Sequence, residues 1–519
     1  MAPEPRLQTI AGWLLAGLAL AWLGTYLWLG YPWTMVGSSN DGLHYLWSAD
    51  ALTRGLSHPL SAFGADRFWN GRFPPGYPLY LSLFGAGASS EGMRLANLAQ
   101  MVSVIVLLVL ILVLAIRATR SRWAGLLVLG YALAHPMMTP WSLELFAEPL
   151  FASALIAACL VADNRGLRNA WFWAALLVGC ACLVRVMGLA ALPALALWVW
   201  LQQRSLSRAM LATLVALTPT LAWAALKAAV ASGSGDHYLA QFRDASAAFS
   251  EDAGSFLLLQ AGSFLRALAP AGIPDVLRVL VGGALLAAVL RAAWAERRHP
   301  AFATLIALSM LLLLLAWPFP EHLDRLAGPL VPLLLVLVLR HWMPAPDPGA
   351  RAPGAPRRWL SPVLATLVLV SLTAALGMLW GRAARVEDPV LKPYLRNASV
   401  LRAARPEAVA AVHHASLLLV AQLDRVVPPG ECVSTRFPAF AALRATVPLA
   451  VTVVPFGWNS NPCRFVLGIN LVSRHDGFDA YFPLPMVDQP FRTVLMSREP
   501  DGLVYAALIA APEQGGPAP

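Results

Sequence analysis

The stretch "SSNDGLHYLWSADALTRG" (38–55) opens with Asp41 directly behind Asn40, a good helix N-cap. Wound as a helix at about 100° per residue, it sets Asp41, His44, Tyr45 and Ser48 on one face and turns Leu43, Leu46 and Trp47 the other way. A carboxylate heading a polar face can take a proton from an arriving hydroxyl. It can equally do no more than complement the positive end of a helix. Further on, "RFWNGRFPPGYPLYLSLFG" (67–85) places Arg72 ahead of a Pro-Pro turn and Tyr77 in the apolar helix after it. Arg185 and Arg325 stand at the ends of apolar segments, and Glu148 lies about one turn into another. Arginine's planar fork matches phosphate oxygens and stays charged beside lipid. One acid and several guanidinium groups are therefore equipment for moving a group away from a phosphate. The plainer reading is that the arginines snorkel to headgroups and that Glu148 packs beside a polar partner. An acid inside a membrane is costly, which makes Glu148 a functional candidate in its own right. Glu144, His322 and Asp324 lie nearby; Glu148 and Asp324 offer hard oxygen ligands for a divalent cation, although no spacing demands one.

Such residues must be positioned by membrane helices. Of 519 residues 58% are hydrophobic and only 13% charged, far too apolar for a soluble globular chain of this size. The first apolar run, Ile10 to Gly30, is long enough to cross about 30 Å of hydrocarbon and lacks the short core and cleavage site of a signal peptide, so it reads as a retained anchor. Eleven segments are candidates to span: 9–30, 93–116, 123–138, 144–162, 169–184, 186–201, 209–231, 274–293, 300–317, 326–343 and 359–380. With the N-terminus inside, the inner loops "RATRSR", "DNRGLR", "QQRSLSR", "RAAWAERRH" and "PAPDPGARAPGAPRR" are all basic, as cytoplasmic loops should be. The long pieces, 31–92, 232–273 and the chain after about Gly381, then lie outside, which puts function on the outer face.

The net charge of +10 raises the question of nucleic acid, but the basic residues fall between apolar runs without interleaved aromatics and report topology instead. Residues 1–382 read as a membrane domain and 383–519 as a small extracytoplasmic α/β domain. In the latter a helix at 406–426 precedes five short strand-like runs, "PPGECVSTR", "AVTVVPF", "RFVLGI", "TVLMS" and "LVYAALIA". Cys432 and Cys463 lie among these runs, either paired in an oxidising compartment or as two thiols; Cys159, Cys180 and Cys182 lie in apolar segments as small hydrophobes.

Taken in order, the acid after the first span, the "DxxxYLxxAxxLxxG" helix, "FPPGYPLYLSLFG", "AEPLFASALIAACLVA" (147–162), "LVRVMGLAALPALAL" (183–197) and "HLDRLAGPLVPLLLVLV" (322–338) resemble the GT-C superfamily of polyprenyl-phosphate-sugar glycosyltransferases. The nearest members in pattern are the bacterial aminoarabinose lipid A transferases and the protein O-mannosyltransferases. The resemblance covers about 380 residues. It implies a polytopic α-helical fold with an outer α/β domain in a bacterial inner membrane, a polyprenyl-phosphate-linked sugar donor among membrane lipids, and a lipid, glycan or protein acceptor. By position it makes Asp41 the catalytic base, Arg72 and Arg325 donor-phosphate ligands and Glu148 the acid that opens the fourth span. The chemistry of the residues themselves adds Arg185 to the phosphate ligands, His44, Tyr45, Tyr77, Glu148 and His322 as cavity and acceptor residues, and room for one cofactor, a divalent cation on Glu148 and Asp324. Two departures, arginine in place of a lysine before the two prolines and no tyrosine after Arg325, bear on the donor sugar more than on the reaction. The rival classes are a transporter or flippase, for which an internal repeat is expected and not found, and a catalytically silent assembly partner.

Overall fold

The computed structural model describes residues 5–30, 40–54, 73–87, 90–138, 141, 144–164, 166–230, 253–317, 319, 322–342, 357–384, 387, 406–435, 445, 447, 449–451, 463–469, 492–498 and 504–510. In hydrocarbon a backbone must satisfy its own hydrogen bonds, so the apolar runs wind into helices. After α1 (Pro5–Gly30) come two helices of the first large loop, α2 (Asn40–Arg54) and α3 (Gly76–Leu83). They are followed by α4 (Ser90–Thr119), α5 (Arg122–Leu133), α6 (Glu148–Ala162) and α7 (Ala170–Val184). A 3-10 turn, Val186–Ala190, leads into α8 (Ala191–Gln203) and α9 (Leu206–Val230). The membrane part continues with α10 (Ala253–Ala267), α11 (Asp275–Glu296), α12 (Phe302–Leu315), α13 (Leu323–Ala327), α14 (Val331–Trp342) and α15 (Arg357–Ala383).

Each of the eleven expected segments holds a helix, but the helices are unequal. Among the described residues six stretches are long and apolar enough to cross: Thr9–Trp28, Glu91–Thr119, Val186–Gln203, Leu206–Ala225, Asp275–Glu296 and Pro362–Gly381. The other five, α5, α6, α7, α12 and α14, are apolar but shorter; the 15 residues of α6 reach only about 22 Å. The cause is local in α6. Pro149 in its first turn fixes where the helix starts, so residues 144–147 of the expected span stay outside it.

The short helices form the interior. α14 is buried on every face from Val331 to Leu339 and packs against α4, α5, α11 and α12. α6 packs on α7 and α4, and α7 on α9. α1, α9, α11 and α15 instead expose leucines and tryptophans on one side, as lipid-facing helices do. Trp28 and Trp380 stack at 5.1 Å near the ends of α1 and α15, with Trp380 Nε1 donating to Thr25 Oγ1 at 3.0 Å. Cys159 and Cys182 are buried; Cys180 is exposed on the surface of α7.

Beyond the membrane helices, the expected 406–426 helix is broken at residues 421–422 into α16 (Pro406–Val420) and α17 (Leu423–Val426). The strands are β1 (Val433–Thr435), β2 (Leu449–Val451), β3 (Phe465–Ile469), β4 (Arg492–Arg498) and β5 (Val504–Ala510). They form one sheet in the order β2-β1-β3-β5-β4. β1 runs parallel to both β2 and β3, with Val433 opposite Leu449 and Phe465, whereas β5 is antiparallel to β3 and β4. α16 packs on β5 and β4. Cys432 and Cys463 are joined across the starts of β1 and β3, with an S–S distance of 2.08 Å.

Candidate active site

α2 lies on α3 and α4. The expected division into a polar face and an apolar face does not hold. Tyr45 and Leu46 are both fully buried and His44 nearly so, while Trp47 and Ser48 are only half-buried. Covered on more than one side, α2 is a packed element. Asp50 helps to seat it: the acid is buried, and a Cβ on Gly87 would stand 2.3 Å from its Oδ1. Asp41, in the first turn of α2, keeps 21% of its side chain exposed.

Two arginines reach Asp41 and its surroundings from elsewhere in the chain. Arg325, on α13, donates from Nη1 to Asp41 Oδ2 at 2.6 Å and from Nε to Glu148 Oε1. Arg185 forms an ion pair from Nη2 to the same Glu148 Oε1 at 3.0 Å and donates from Nη1 to the Tyr45 hydroxyl oxygen at 3.1 Å. The Phe146 ring lies 4.6 Å from the Arg325 guanidinium carbon, a favourable cation–π placement. Two carboxylates and two guanidinium groups thus meet as a neutral quartet drawn from sequence positions 41, 148, 185 and 325.

The local structure explains how each charge is held. Glu148 is the first residue of α6, where the positive end of the helix favours a carboxylate, and its side chain is wholly buried. The sequence reading put it a turn deeper; Pro149 moves the helix start onto it. Arg185 sits in the break between α7 and the 3-10 turn with an extended backbone, φ −145° and ψ 132°. That break is pressed tight by two glycines. A Cβ on Gly188 would stand 2.8 Å from the Cys182 nitrogen, and one on Gly76 would stand 2.7 Å from the Leu183 carbonyl, so only glycine lets α3 and the turn close around Arg185.

One flank of the quartet is aromatic. Tyr45 meets Tyr77 edge-on at 4.9 Å and Phe73 at 5.0 Å, and His44 lies 5.8 Å from Phe73. Burial raises the Tyr45 phenol above its ordinary pKa, chiefly by desolvation, so it stays protonated beside Arg185. Tyr77 is spent on structure: its hydroxyl donates to Gln100 Oε1, and Gln100 Nε2 in turn donates to the Trp141 carbonyl. Among the described residues two buried atoms of the quartet have no hydrogen-bond partner, Glu148 Oε2 and Arg325 Nη2. Leaving such groups unmade in a protein interior is expensive.

Asp41, Tyr45, Glu148, Arg185 and Arg325 are brought together. Arg72 lies outside the described residues. Asp324 turns away from its neighbour Arg325 and takes Arg278 at 3.3 Å, with 43% of its side chain exposed. Glu148 and Asp324 pair with different arginines, and among the described residues no group of three or more His, Cys, Asp or Glu is placed to hold a metal. His322 stands at the start of α13 with its ring 6.1 Å from Phe319. Phe146, Gln100 and Asp50 were not among the residues picked from sequence. Only Phe146, two positions before Glu148, carried any signal, namely an aromatic beside an intramembrane acid.

No protein-family model matches the chain, and none of the curated proteins does. Two solved structures do, ArnT from Cupriavidus metallidurans bound to undecaprenyl phosphate and the same protein in the apo state. Each is 13% identical, has a TM-score of 0.48, and is matched over 97% of this chain and 99% of its own.

Proposed function

We propose that the chain is an integral membrane glycosyltransferase that moves a sugar from a polyprenyl phosphate to a lipid, glycan or protein acceptor, with inversion at the anomeric carbon. The single observation that carries this reading is the quartet, in which a partly exposed carboxylate shares a guanidinium with a buried one, inside a chain of apolar helices. The ordered motifs resembling the GT-C superfamily support it.

The chemistry assigns a task to each member. The acceptor hydroxyl gives its proton to Asp41 as its oxygen bonds to the anomeric carbon. The bond from that carbon to the phosphate oxygen breaks, and the electron pair leaves on the lipid phosphate. Arg325 and Arg185 face the negative charge that grows on the departing phosphate, and positioned charges of this kind act strongly where water is excluded. Glu148 keeps the two guanidinium groups, which would otherwise repel, on one site. Because a single displacement is involved, the product carries the opposite anomeric configuration to the donor. The loop charges read from sequence support a site on the outer face of the bacterial inner membrane.

Purified protein in detergent, given a polyprenyl-phosphate sugar and an acceptor extract, should release polyprenyl phosphate. Asp41→Asn keeps the shape and removes the base, so release should fall by about 10²- to 10⁴-fold with an unchanged melting temperature. A folded Asp41→Asn enzyme that transfers at the wild-type rate would refute the assignment.

A further inference from the structure

We infer that Arg278, on α11, is a positioning residue for Arg325: through Asp324 it sets the roll of α13, and hence the angle at which the Arg325 guanidinium enters the site. The inference rests on the transferase reading and adds to it a residue outside the quartet. Its basis is the construction of α13. Five residues make little more than one turn, too short to hold a helix by its own hydrogen bonds, and the N-cap residue His322 makes no side-chain capping bond. The helix is therefore fixed from outside. Leu323, Leu326 and Ala327 are buried, and a Cβ on Gly328, just past the last turn, would stand 2.3 Å from the Trp141 ring, so the end of α13 has no room to move toward that ring. What remains to be fixed is rotation about the helix axis.

Two charges on adjacent residues set that rotation. Neighbouring side chains leave a helix about 100° apart, so holding Asp324 in one direction aims Arg325 in another. Arg325 reaches Glu148 at the start of α6. Asp324 accepts from Nη2 of Arg278, in the first turn of α11, at 3.3 Å. α13 is thus strung between α6 and α11, supplying the cation to one ion pair and the anion to the other.

Arg278 is itself firmly held. Its Nη2 also donates to the Arg266 carbonyl at 2.9 Å, its Nη1 lies 3.6 Å from Asp275 Oδ1, and only 14% of its side chain is exposed. The Arg266 carbonyl is one of the last in α10, which have no partner within their own helix. The next two are met as well, that of Ala267 by His135 Nε2 at 3.0 Å and that of Leu268 by the Tyr131 hydroxyl at 2.9 Å. His135 Nδ1 accepts from the Met137 nitrogen at 3.2 Å, so Nε2 carries the proton that it donates. Side chains from α5, from the residues just after it and from α11 therefore pin the end of α10, and Arg278 is the one of them that continues to α13. Magnitudes separate its two effects. Asp324 is 43% exposed, and a pair this open adds little to stability. Placement weighs more, because an error of about 1 Å in a group that acts on the reacting atoms costs up to about 100-fold in rate.

The test measures affinity for polyprenyl phosphate, the proposed leaving group, on the full chain in detergent micelles by competition with radiolabelled lipid. Asp324→Ala should weaken binding by about tenfold with a nearly unchanged melting temperature. The sign discriminates, because removal of a negative charge near an anion site would by itself tighten binding. Asp324→Asn loses the same charge but keeps an oxygen for Arg278, so it should bind within about threefold of the wild type. Arg278→Met should weaken binding as Asp324→Ala does, and the two together no further than either alone, since they break one pair. In an Arg325→Gln background Asp324→Ala should alter binding less than about twofold, because the tether acts through Arg325. Asp275→Ala, which removes the other carboxylate of Arg278 without touching α13, should also stay within about twofold. Unchanged or tighter binding in Asp324→Ala would overturn the positioning role, as would equal weakening with and without Arg325. If the wild type binds no polyprenyl phosphate, the transferase reading falls and this inference with it; if the wild type binds and Arg325→Gln binds less tightly while Asp324→Ala does not, only the positioning role falls.

Discussion

The chain builds two ion clusters at opposite ends of α14, and they differ in one respect. Just before α14, Arg325 joins Glu148, Asp41 and, through Glu148, Arg185. In the last turn of α14, Arg340 grips Glu296 through Nε at 3.1 Å and through Nη2. There Thr304 Oγ1 donates to the second Glu296 oxygen at 2.6 Å, and Arg340 Nη2 also reaches Thr304 at 3.2 Å. The Glu296 cluster ties the end of α11, the start of α12 and the end of α14, and among the described residues it leaves no buried side-chain atom of its own without a partner. The Asp41 cluster leaves two, Glu148 Oε2 and Arg325 Nη2. Paired charge alone therefore does not mark a site, since both clusters have it, and the Glu296 pair keeps 17–24% of its side chains exposed where Glu148 has none. What separates them is unspent hydrogen-bonding capacity, which a structural clamp uses up and a binding site keeps.

The contrast can be broken by paired substitutions. The largest effect is expected for Glu148→Gln, which loosens both arginines at once: transfer should fall by about 100-fold, the size found when one preorganised charge contact is lost. Glu296→Gln, the same chemical change at the other cluster, should leave transfer within about twofold and lower stability by about 1.5–3 kcal/mol, the worth of hydrogen bonds to a charged group. Thermal unfolding in detergent alongside the release assay reads both. If Glu296→Gln silenced transfer as deeply as Glu148→Gln, the distinction between clamp and site would be lost. A smaller effect is expected for Tyr45→Phe, which removes the oxygen that accepts from Arg185 at 3.1 Å. About 1 kcal/mol, or fivefold in kcat/KM, should go, with stability nearly unchanged because the ring contacts to Tyr77 and Phe73 remain.

The covalent link in the sheet domain gives a third point of reference, remote from both clusters in sequence. Cys432 and Cys463 close a loop of 31 residues. On chain entropy, replacing both by serine should cost that domain about 3–4 kcal/mol while leaving polyprenyl phosphate binding as it was. Loss of binding on reduction would tie the sheet domain to the site.

Much of this fold is legible in the sequence because its causes are local. Apolar runs between basic loops become helices, and each of the five short β-branched runs in the last hundred residues holds a strand of the sheet. Asp41 was legible for the same reason, as an acid at a helix start behind an N-cap residue. Partner choice was not. Nothing local tells that Asp324 faces Arg278 while its neighbour Arg325 faces Glu148, because a five-residue helix turns adjacent side chains to different sides. Leu46 and Tyr45 are buried together because α2 is packed by both α3 and α4, a tertiary fact that a helical wheel omits. The expected span from residue 144 starts later, at Glu148, because Pro149 sets the helix start, whereas the break at Arg185 was legible as the turn between segments 169–184 and 186–201. Glu148 changed in meaning for that reason: it is a helix-start acid held between two cations, not an acid buried mid-helix.

The most direct test of the account is a structure of the full chain with polyprenyl phosphate bound. The account predicts a phosphate oxygen about 2.7–2.9 Å from a guanidinium nitrogen of Arg325 or Arg185, with Glu148 still on Arg325 Nε. A phosphate seated out of reach of both Arg185 and Arg325 would contradict it.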